Sequence, residues 1–309
     1  MRLRRDIPGT ARRLTVVRAG GLGDTILMLP ALQLLRALAP GAEVTLVGSA
    51  WAQRLRPLVG FPFRVLRFDS AALTSLFGPG AGEDPSGAFA EADAAIIFSA
   101  DAGDALVSNA RRFCRGPVTV WPLDPPAGVH AAAHFARAIA EGADVPLPDL
   151  RVQGALRERA RAMLDEALGP GARPTAVHPG SGGRRKCWPP EEFARLIGAL
   201  GRPAVMLRGP ADDAVCDAAR SLADLPELAG LEVAQAGAVL AECSLYVGND
   251  SGLTHLAAGL GVPTVAVFGP TDPALWRPLG PCVRVAAGRP WPAWREVLAV
   301  CGELAPPVG

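Results

Sequence analysis

The 309-residue chain predicts an α/β protein made of two successive parallel-sheet domains. Three observations carry that prediction. Short apolar runs alternate with longer segments of helical periodicity, the pattern of a parallel sheet covered by helices on both faces. Each series has a strand that breaks into a glycine-rich turn, at Gly20-Gly21-Leu22-Gly23 and at Gly180-Ser181-Gly182-Gly183. Between the series, Gly142 to Gly154, "GADVPLPDLRVQG", interrupts the regularity and reads as a linker, which divides the chain into residues 1–150 and 151–309.

In order, the first domain reads as a strand from Leu14 to Arg18, the glycine turn, a helix over about Thr25 to Leu38 and a strand from Glu43 to Val47. A further helix leads to a third strand near Arg64 to Phe68, and Gly78 to Gly87, "GPGAGEDPSG", is loop by composition. Apolar strands follow at Ala94 to Phe98 and Val118 to Val120, then a helical pattern from His130 to Glu141 that Gly142 ends. The second domain opens with a helix at about Ala155 to Leu168. It continues with strand Thr175 to His178, helix Glu191 to Leu200, strand Ala204 to Leu207 and helix Asp212 to Leu222. A short strand near Glu232, a helix near Ala236 to Ala241, strand Leu245 to Val247, a helix opening at Gly252 and strand Thr264 to Phe268 complete the series. The tail, about residues 291–304, reads as a last helix available to pack back on the first domain. Two such domains imply a cleft lined by strand carboxyl ends, where open α/β sheets usually bind ligands.

Composition narrows the function. Half of the residues are hydrophobic, 20% are charged and the formal net charge is +1, so the bulk electrostatics call for neither nucleic acid nor another polyanion. Arg2, Arg4, Arg5, Arg12 and Arg13 read as a solvated, frayed terminus, with anionic lipid or phosphate as the alternative contact. That opening lacks an apolar stretch with a small-residue cleavage site, so no secretion signal is expected. Apolar runs are broken by Gly and Pro short of the roughly 18 residues that a spanning helix needs. Six cysteines form neither a CxxC pair nor a Cys/His cluster, which argues against a disulfide scaffold or a zinc site and for a reducing cytoplasm. A cytoplasmic protein is expected, with peripheral membrane contact open. Trp291 and Trp294 serve either such a surface or the packing of the final helix.

Four strand ends carry unusual residues. In "VVRAGGLGDTILMLPAL", glycines turn strand into helix and Asp24 stands at the helix start, either as a cap or as a carboxylate able to take a proton from an acceptor hydroxyl. Arg18 ends the same strand. In "AVHPGSGGRRKCWPPEEFARL", the strand ends at His178, and a glycine loop leads to Arg184, Arg185 and Lys186, the only lysine of the chain. Amides freed by glycine beside cations make a phosphate cradle, the alternative being a flexible basic loop. Neither turn meets the GxGxxG or GxxxxGK[ST] pattern.

In "LRGPADDAVCDAA", Asp212 and Asp213 start a helix, as caps favoured by the helix dipole or as contacts to a ribose. In "YVGNDSGLTHLAAGLGVP", Asp250, Ser251 and Gly252 open a helix whose amides favour a phosphate, and Gly252 permits close approach. Asp250 beside a phosphate would repel it, so the carboxylate suits neutral sugar hydroxyls. His255, about one turn in, is a packed core histidine or a ligand contact. Together these ends call for a diphosphate, a ribose and a polyhydroxylated group, the chemistry of a nucleotide sugar and a glycosyl acceptor.

The stretches "GGLGDTILMLPAL", "HPGSGGRRKCWPPEEF" and above all "GNDSGLTHLAAGLGVPTVAVFGPTDPALWRP" resemble glycosyltransferase family 9, the ADP-heptose:lipopolysaccharide heptosyltransferase family, from about Leu14 to Pro278. The resemblance implies a GT-B fold of two Rossmann-like domains facing a central cleft, the donor held mainly by the second. It implies that Asp24 is the general base, that Lys186 and Ser181 contact donor phosphate, and that Asp250, Ser251, Gly252 and His255 contact the donor. Arg185, Asp212 and Asp213 are further donor-side candidates, and Arg18 and Gly23 lie on the acceptor side. The implied reaction is inverting and metal-independent, with no cofactor beyond the nucleotide-sugar substrate, since Lys186, nearby arginines and the helix start at Gly252 meet the leaving-group charge. The implied partners are ADP-heptose and a lipid-linked glycan of the lipopolysaccharide-core type. The loop "SGGRR" is less hydroxyl-rich than in many heptosyltransferases, and the acceptor-side elements match no motif. A family member using another nucleotide sugar, an NDP-sugar epimerase and a non-catalytic binding protein are the competing readings.

Overall fold

Alternating strands and helices build two units in the computed structural model, which describes residues 2–142, 144–210 and 212–304. One unit comprises Met1–Arg56 and Phe61–Pro146, the other Pro57–Gly60 and Leu147–Gly309. Residue 143 of the expected linker and residues 305–309 of the expected second domain lie outside the described residues. The short excursion at Pro57–Gly60 joins the second unit through backbone pairing. Val59 bridges Leu150, the Gly60 amide donates to the Asp149 carbonyl at 2.9 Å, and the Arg151 amide donates to the Leu58 carbonyl at 2.7 Å.

The first unit runs β1 (Arg2–Leu3), β2 (Arg13–Arg18), α1 (Leu22–Leu38), β3 (Glu43–Gly48), α2 (Ala50–Leu55), β4 (Arg64–Arg67), α3 (Ala71–Thr74), β5 (Ala94–Ser99), α4 (Ala105–Phe113), β6 (Val118–Pro122), α5 (Ala131–Ile139) and β7 (Ala140–Glu141). Its parallel sheet has the order β4-β3-β2-β5-β6, so the chain reverses direction across the sheet between β2 and β5. Leu14 to Val17 are buried without alternation because helices cover both faces.

Four sequence expectations need correction here. Helix α1 starts at Leu22, not near Thr25, which places Asp24 within the first turn of the helix, with Gly21 as the cap. Helix α4 was not anticipated; Asp104 caps it by accepting the Val107 amide at 2.7 Å. The helix expected through Glu141 ends at Ile139, because Ala140 and Glu141 pair with Leu3 and Arg2 as a small antiparallel ribbon. The arginine-rich start is therefore not frayed: Arg2 binds Glu141 at 2.8 Å, and Arg4 lies 3.4 Å from Asp6 and over the Trp121 ring.

The second unit runs α6 (Gly154–Leu168), β8 (Thr175–His178), α7 (Pro190–Ala199), β9 (Ala204–Arg208), α8 (Asp213–Leu222), β10 (Glu227–Ala229), α9 (Val233–Ala241), β11 (Leu245–Asn249), α10 (Gly252–Gly259), β12 (Thr264–Phe268), α11 (Pro273–Trp276), β13 (Val283–Ala287) and α12 (Trp294–Leu304). Its six strands are all parallel in the order β10-β9-β8-β11-β12-β13, the doubly wound arrangement with its switch point between β8 and β11. The strand expected near Glu232 lies at Glu227–Ala229, and Glu232 instead caps α9. Edge strand β13 was not anticipated. Trp188, Phe193, Met206, Val247, Val265 and Val297 share one core, against which Trp291 and Trp294 also pack. Helix α12, for which a return to the first domain had been open, packs on α7, β12 and β13. Among the described residues, no helix is long and apolar enough to cross a membrane.

Candidate functional site

In a doubly wound sheet the strand ends on either side of the switch point diverge and leave room for a ligand. The unusual residues gather at those ends in each unit. In the first, β2 delivers Arg18 and the turn that follows delivers Asp24. The Asp24 side chain folds back over Gly20, where an added Cβ would lie 2.7 Å from the Asp24 Cβ. Its Oδ2 accepts the Gly21 amide at 2.9 Å, and its Oδ1 accepts from Arg18 Nη2 at 2.9 Å. Asp24 thus holds the start of the helix and pairs with Arg18 at the same time. Gly23 is half-buried within the first turn of α1. Arg18, with its side chain only 8% exposed, also donates to the Ala19 carbonyl and stands over the Phe135 ring. Its place is that of a partner to Asp24, whose side chain remains 28% exposed.

In the second unit, the loops after β8, β9 and β11 interlock. Asn249, fully buried at the end of β11, donates to the Pro179 and Gly180 carbonyls at 2.7 and 3.3 Å, and its Oδ1 accepts the Trp188 amide at 2.9 Å. One amide side chain thus ties both ends of the Gly180–Lys186 loop. Ser181 Oγ donates to the Asp250 carbonyl at 2.7 Å, and Lys186 Nζ donates to Asp250 Oδ2 at 3.0 Å. His255 Nε2 lies 3.9 Å from Asp250 Oδ1. Ser251 caps α10, its Oγ accepting the Thr254 amide, and Gly252 opens the helix. Arg185 is exposed on the turn Arg184–Lys186.

Asp212 and Asp213 part company. Asp213 is exposed and pairs with Arg208, which also binds Asp217 and Glu227. Asp212 is buried beneath Gly180, with Oδ2 accepting from His178 Nε2 at 2.9 Å and from the Gly209 amide at 2.9 Å. Burial pushes its carboxyl up, but the His178 hydrogen bond, the charge that the imidazole carries in acid, and the Gly209 and Ser181 amides outweigh it, and the acid is held below the usual carboxylate range. His178 Nδ1 faces Ser251 Oγ at 3.3 Å, and the Tyr246 hydroxyl meets Thr254 Oγ1 at 3.0 Å.

The predicted residues Ser181, Lys186, Asp212, Asp250, Ser251 and His255 are therefore brought into one cluster, and Asp213 is not. Sequence reasoning missed His178, Asn249, Tyr246 and Thr254. Asn249 and His178 each end a strand at the switch point, a positional signal that the strand pattern already contained. Among the described residues, no group of three or more His, Cys, Asp or Glu side chains is placed to hold a metal ion.

Residues 109–298 match the model of glycosyltransferase family 9 (heptosyltransferase). Lipopolysaccharide heptosyltransferase 3 of Escherichia coli K12 is 37% identical over 102 residues, 30% of this chain and 30% of that protein. The chain thus spans about a third of the length of the curated relatives it matches. A glycosyl transferase family 9 structure from Veillonella parvula covers 95% of this chain and 97% of its own, with a TM-score of 0.76 at 19% identity. An E. coli heptosyltransferase solved with ADP covers 95% of this chain and 100% of its own, with a TM-score of 0.67 at 22% identity. These likenesses bear out the expected GT-B fold.

Proposed function

The chain belongs to glycosyltransferase family 9, the heptosyltransferase family, and from that premise we propose that it transfers a sugar, heptose from ADP-heptose, to a lipopolysaccharide-core or related surface-glycan acceptor. The observation that carries the reading is the cluster at the β8/β11 switch point. There a glycine-rich loop, a lysine and a helix start converge with Asp250, the arrangement a nucleotide sugar requires. On donor binding, Lys186 exchanges the Asp250 carboxylate for a donor phosphate, and Asp250 turns to the sugar hydroxyls. Ser181, Gly252 and His255 complete the donor contacts, with Arg185 able to add charge from the loop rim.

Asp24 takes the acceptor proton. The acceptor oxygen attacks the anomeric carbon as the bond to the diphosphate breaks, the electron pair leaves on the phosphate oxygen, and the configuration inverts in a single displacement. This role rests on motif order and on the accessible, oriented carboxylate, because Asp24 lies outside the family match. The charge leaving on the diphosphate is met by Lys186 and the α10 amides without a metal.

The test is calorimetric titration with ADP, UDP and GDP, with and without Mg²⁺, followed by transfer assays with ADP-heptose. ADP alone binding without metal is the expected result. Preferential binding of UDP or GDP would overturn the heptose donor, and donor turnover without an acceptor would point to an epimerase.

A further inference from the structure

Beneath the proposed donor loop lies a buried pair that no step above uses, His178 with Asp212. His178 ends β8 and Asp212 follows β9, and with Ser251, which follows β11, they link the three strand ends. Their hydrogen bonds can be counted proton by proton. Asp212 is ionised and only accepts, so His178 Nε2 carries a proton whatever the state of the ring. Thr254 gives its one hydroxyl proton to the Asn249 carbonyl, so its Oγ1 accepts from Tyr246 and has a remaining lone pair toward Ser251 Oγ, 3.1 Å away.

The Ser251 proton then has two possible directions. With neutral His178 it points to Nδ1; with a doubly protonated ring, Nδ1 donates to Ser251 Oγ and the serine proton turns to Thr254. One hydroxyl rotation satisfies either state, and neither leaves this buried network short of a donor or acceptor. The two states differ in charge. Neutral His178 leaves a buried negative charge directly under Gly180 and Ser181, where an arriving diphosphate meets repulsion. The protonated ring makes the pair neutral.

Resting on the donor reading above, we infer that His178 is a positioning residue that takes a proton from solvent when the diphosphate of the donor binds, neutralising Asp212 beneath the loop as the anion arrives. Neighbouring groups leave this role to the imidazole. Burial pushes the Cys216 thiol up to about 12, and burial likewise raises Tyr246 and Cys187, so all three stay neutral. Lys186 and Asp250 form the adjoining ion pair, with His255 Nε2 3.9 Å from Asp250 Oδ1, and Arg208 is occupied by Asp213, Asp217 and Glu227.

The experiment is calorimetric titration of the whole protein with ADP at one pH in two buffers of different ionisation enthalpy, which counts protons taken up. The wild type is expected to take up more than His178→Gln, whose amide keeps a donor to Asp212 but cannot be protonated. The ADP affinity of the wild type should weaken with rising pH by up to about tenfold per unit, the ceiling for one linked proton, and more steeply than that of the variant. Protons from the nucleotide itself cancel in the comparison. A purely structural His178 would lower affinity in the variant yet leave the proton count unchanged, which would overturn the inference. Asp212→Asn, which removes the charge to be neutralised, should show the same loss of uptake and serves if His178→Gln does not fold. Failure of the wild type to bind ADP would remove the ADP-donor reading itself, whereas binding with equal proton counts removes only the role of His178.

Discussion

Gly180→Ala tests whether the proposed donor loop is built on Asp212. A Cβ at Gly180 would overlap the Asp212 carboxylate. That carboxylate is not a flexible tip that can swing aside, because its side chain is 8% exposed and its Oδ2 is held by His178 Nε2 and the Gly209 amide, both at 2.9 Å. If Asp212 moves, it gives up two charge-assisted hydrogen bonds in a buried setting. If the loop moves instead, Asn249 loses its bonds to the Pro179 and Gly180 carbonyls. Either route costs about two buried hydrogen bonds, roughly 2–4 kcal/mol. For a unit of this size each kcal/mol lowers the melting temperature by about 2–4 °C, so a drop of roughly 5–15 °C is expected by calorimetry. Gly182→Ala is the internal control: nothing lies within 4 Å of its added Cβ, and it should melt like the wild type. A Gly180→Ala protein that melts within a degree or two of the wild type, or an equal loss in Gly182→Ala, would refute the packing argument.

Four further outcomes are expected. Asp24→Asn should retain ADP binding while turnover falls on the order of 10²-fold or more; unchanged turnover would remove Asp24 as the base. Lys186→Ala removes the phosphate contact proposed for this lysine and should weaken ADP binding by about 10- to 100-fold, roughly 1.5–3 kcal/mol, and an unaltered dissociation constant would return the residue to a solvated loop. Transfer should survive EDTA, and activity lost to chelation and regained with Mg²⁺ would contradict the metal-free reaction. Asp212, whose carboxyl in the folded state is held below its ordinary value of 3.8, contributes stability that is fully present above that value and lost as pH falls through the lower folded one. Asp212→Asn should therefore flatten the acid-unfolding limb below about pH 4, and coincident limbs would refute the assignment.

Much of the site was legible because strand ends and glycine turns are local features. The break after Arg18, the loop after His178 and the block from Asn249 to His255 each announce themselves within a short window, and the fold then gathers the last two at one switch point. Edge elements were less legible. The strands Glu227–Ala229 and Val283–Ala287 are short and only partly buried, so they lack the continuous apolar run that marks a central strand. Helix α4 hides its apolar face among Ser108, Asn109, Arg111 and Arg112, and its clearest mark, the Asp104 cap, stands in a stretch with another aspartate.

Asp212 and Asp213 show where local reading must stop. Both are acidic, both stand at a helix start, and dipole arguments favour them equally. What separates them is helical phase: one side chain turns inward to His178, the other outward to Arg208. The inward place exists because Gly180 and Gly209, on two different loops, both lack the Cβ that would fill it. Neither glycine is conspicuous alone, since glycine after a strand is ordinary turn chemistry. Their joint purpose appears only when β8 and β9 lie side by side. The same adjacency makes His178 a partner of Asp212 rather than simply the last residue of a strand. A carboxylate whose burial depends on two absent side chains tolerates little change around it, so substitutions at Gly180 and Gly209 should behave alike although the sequence separates them.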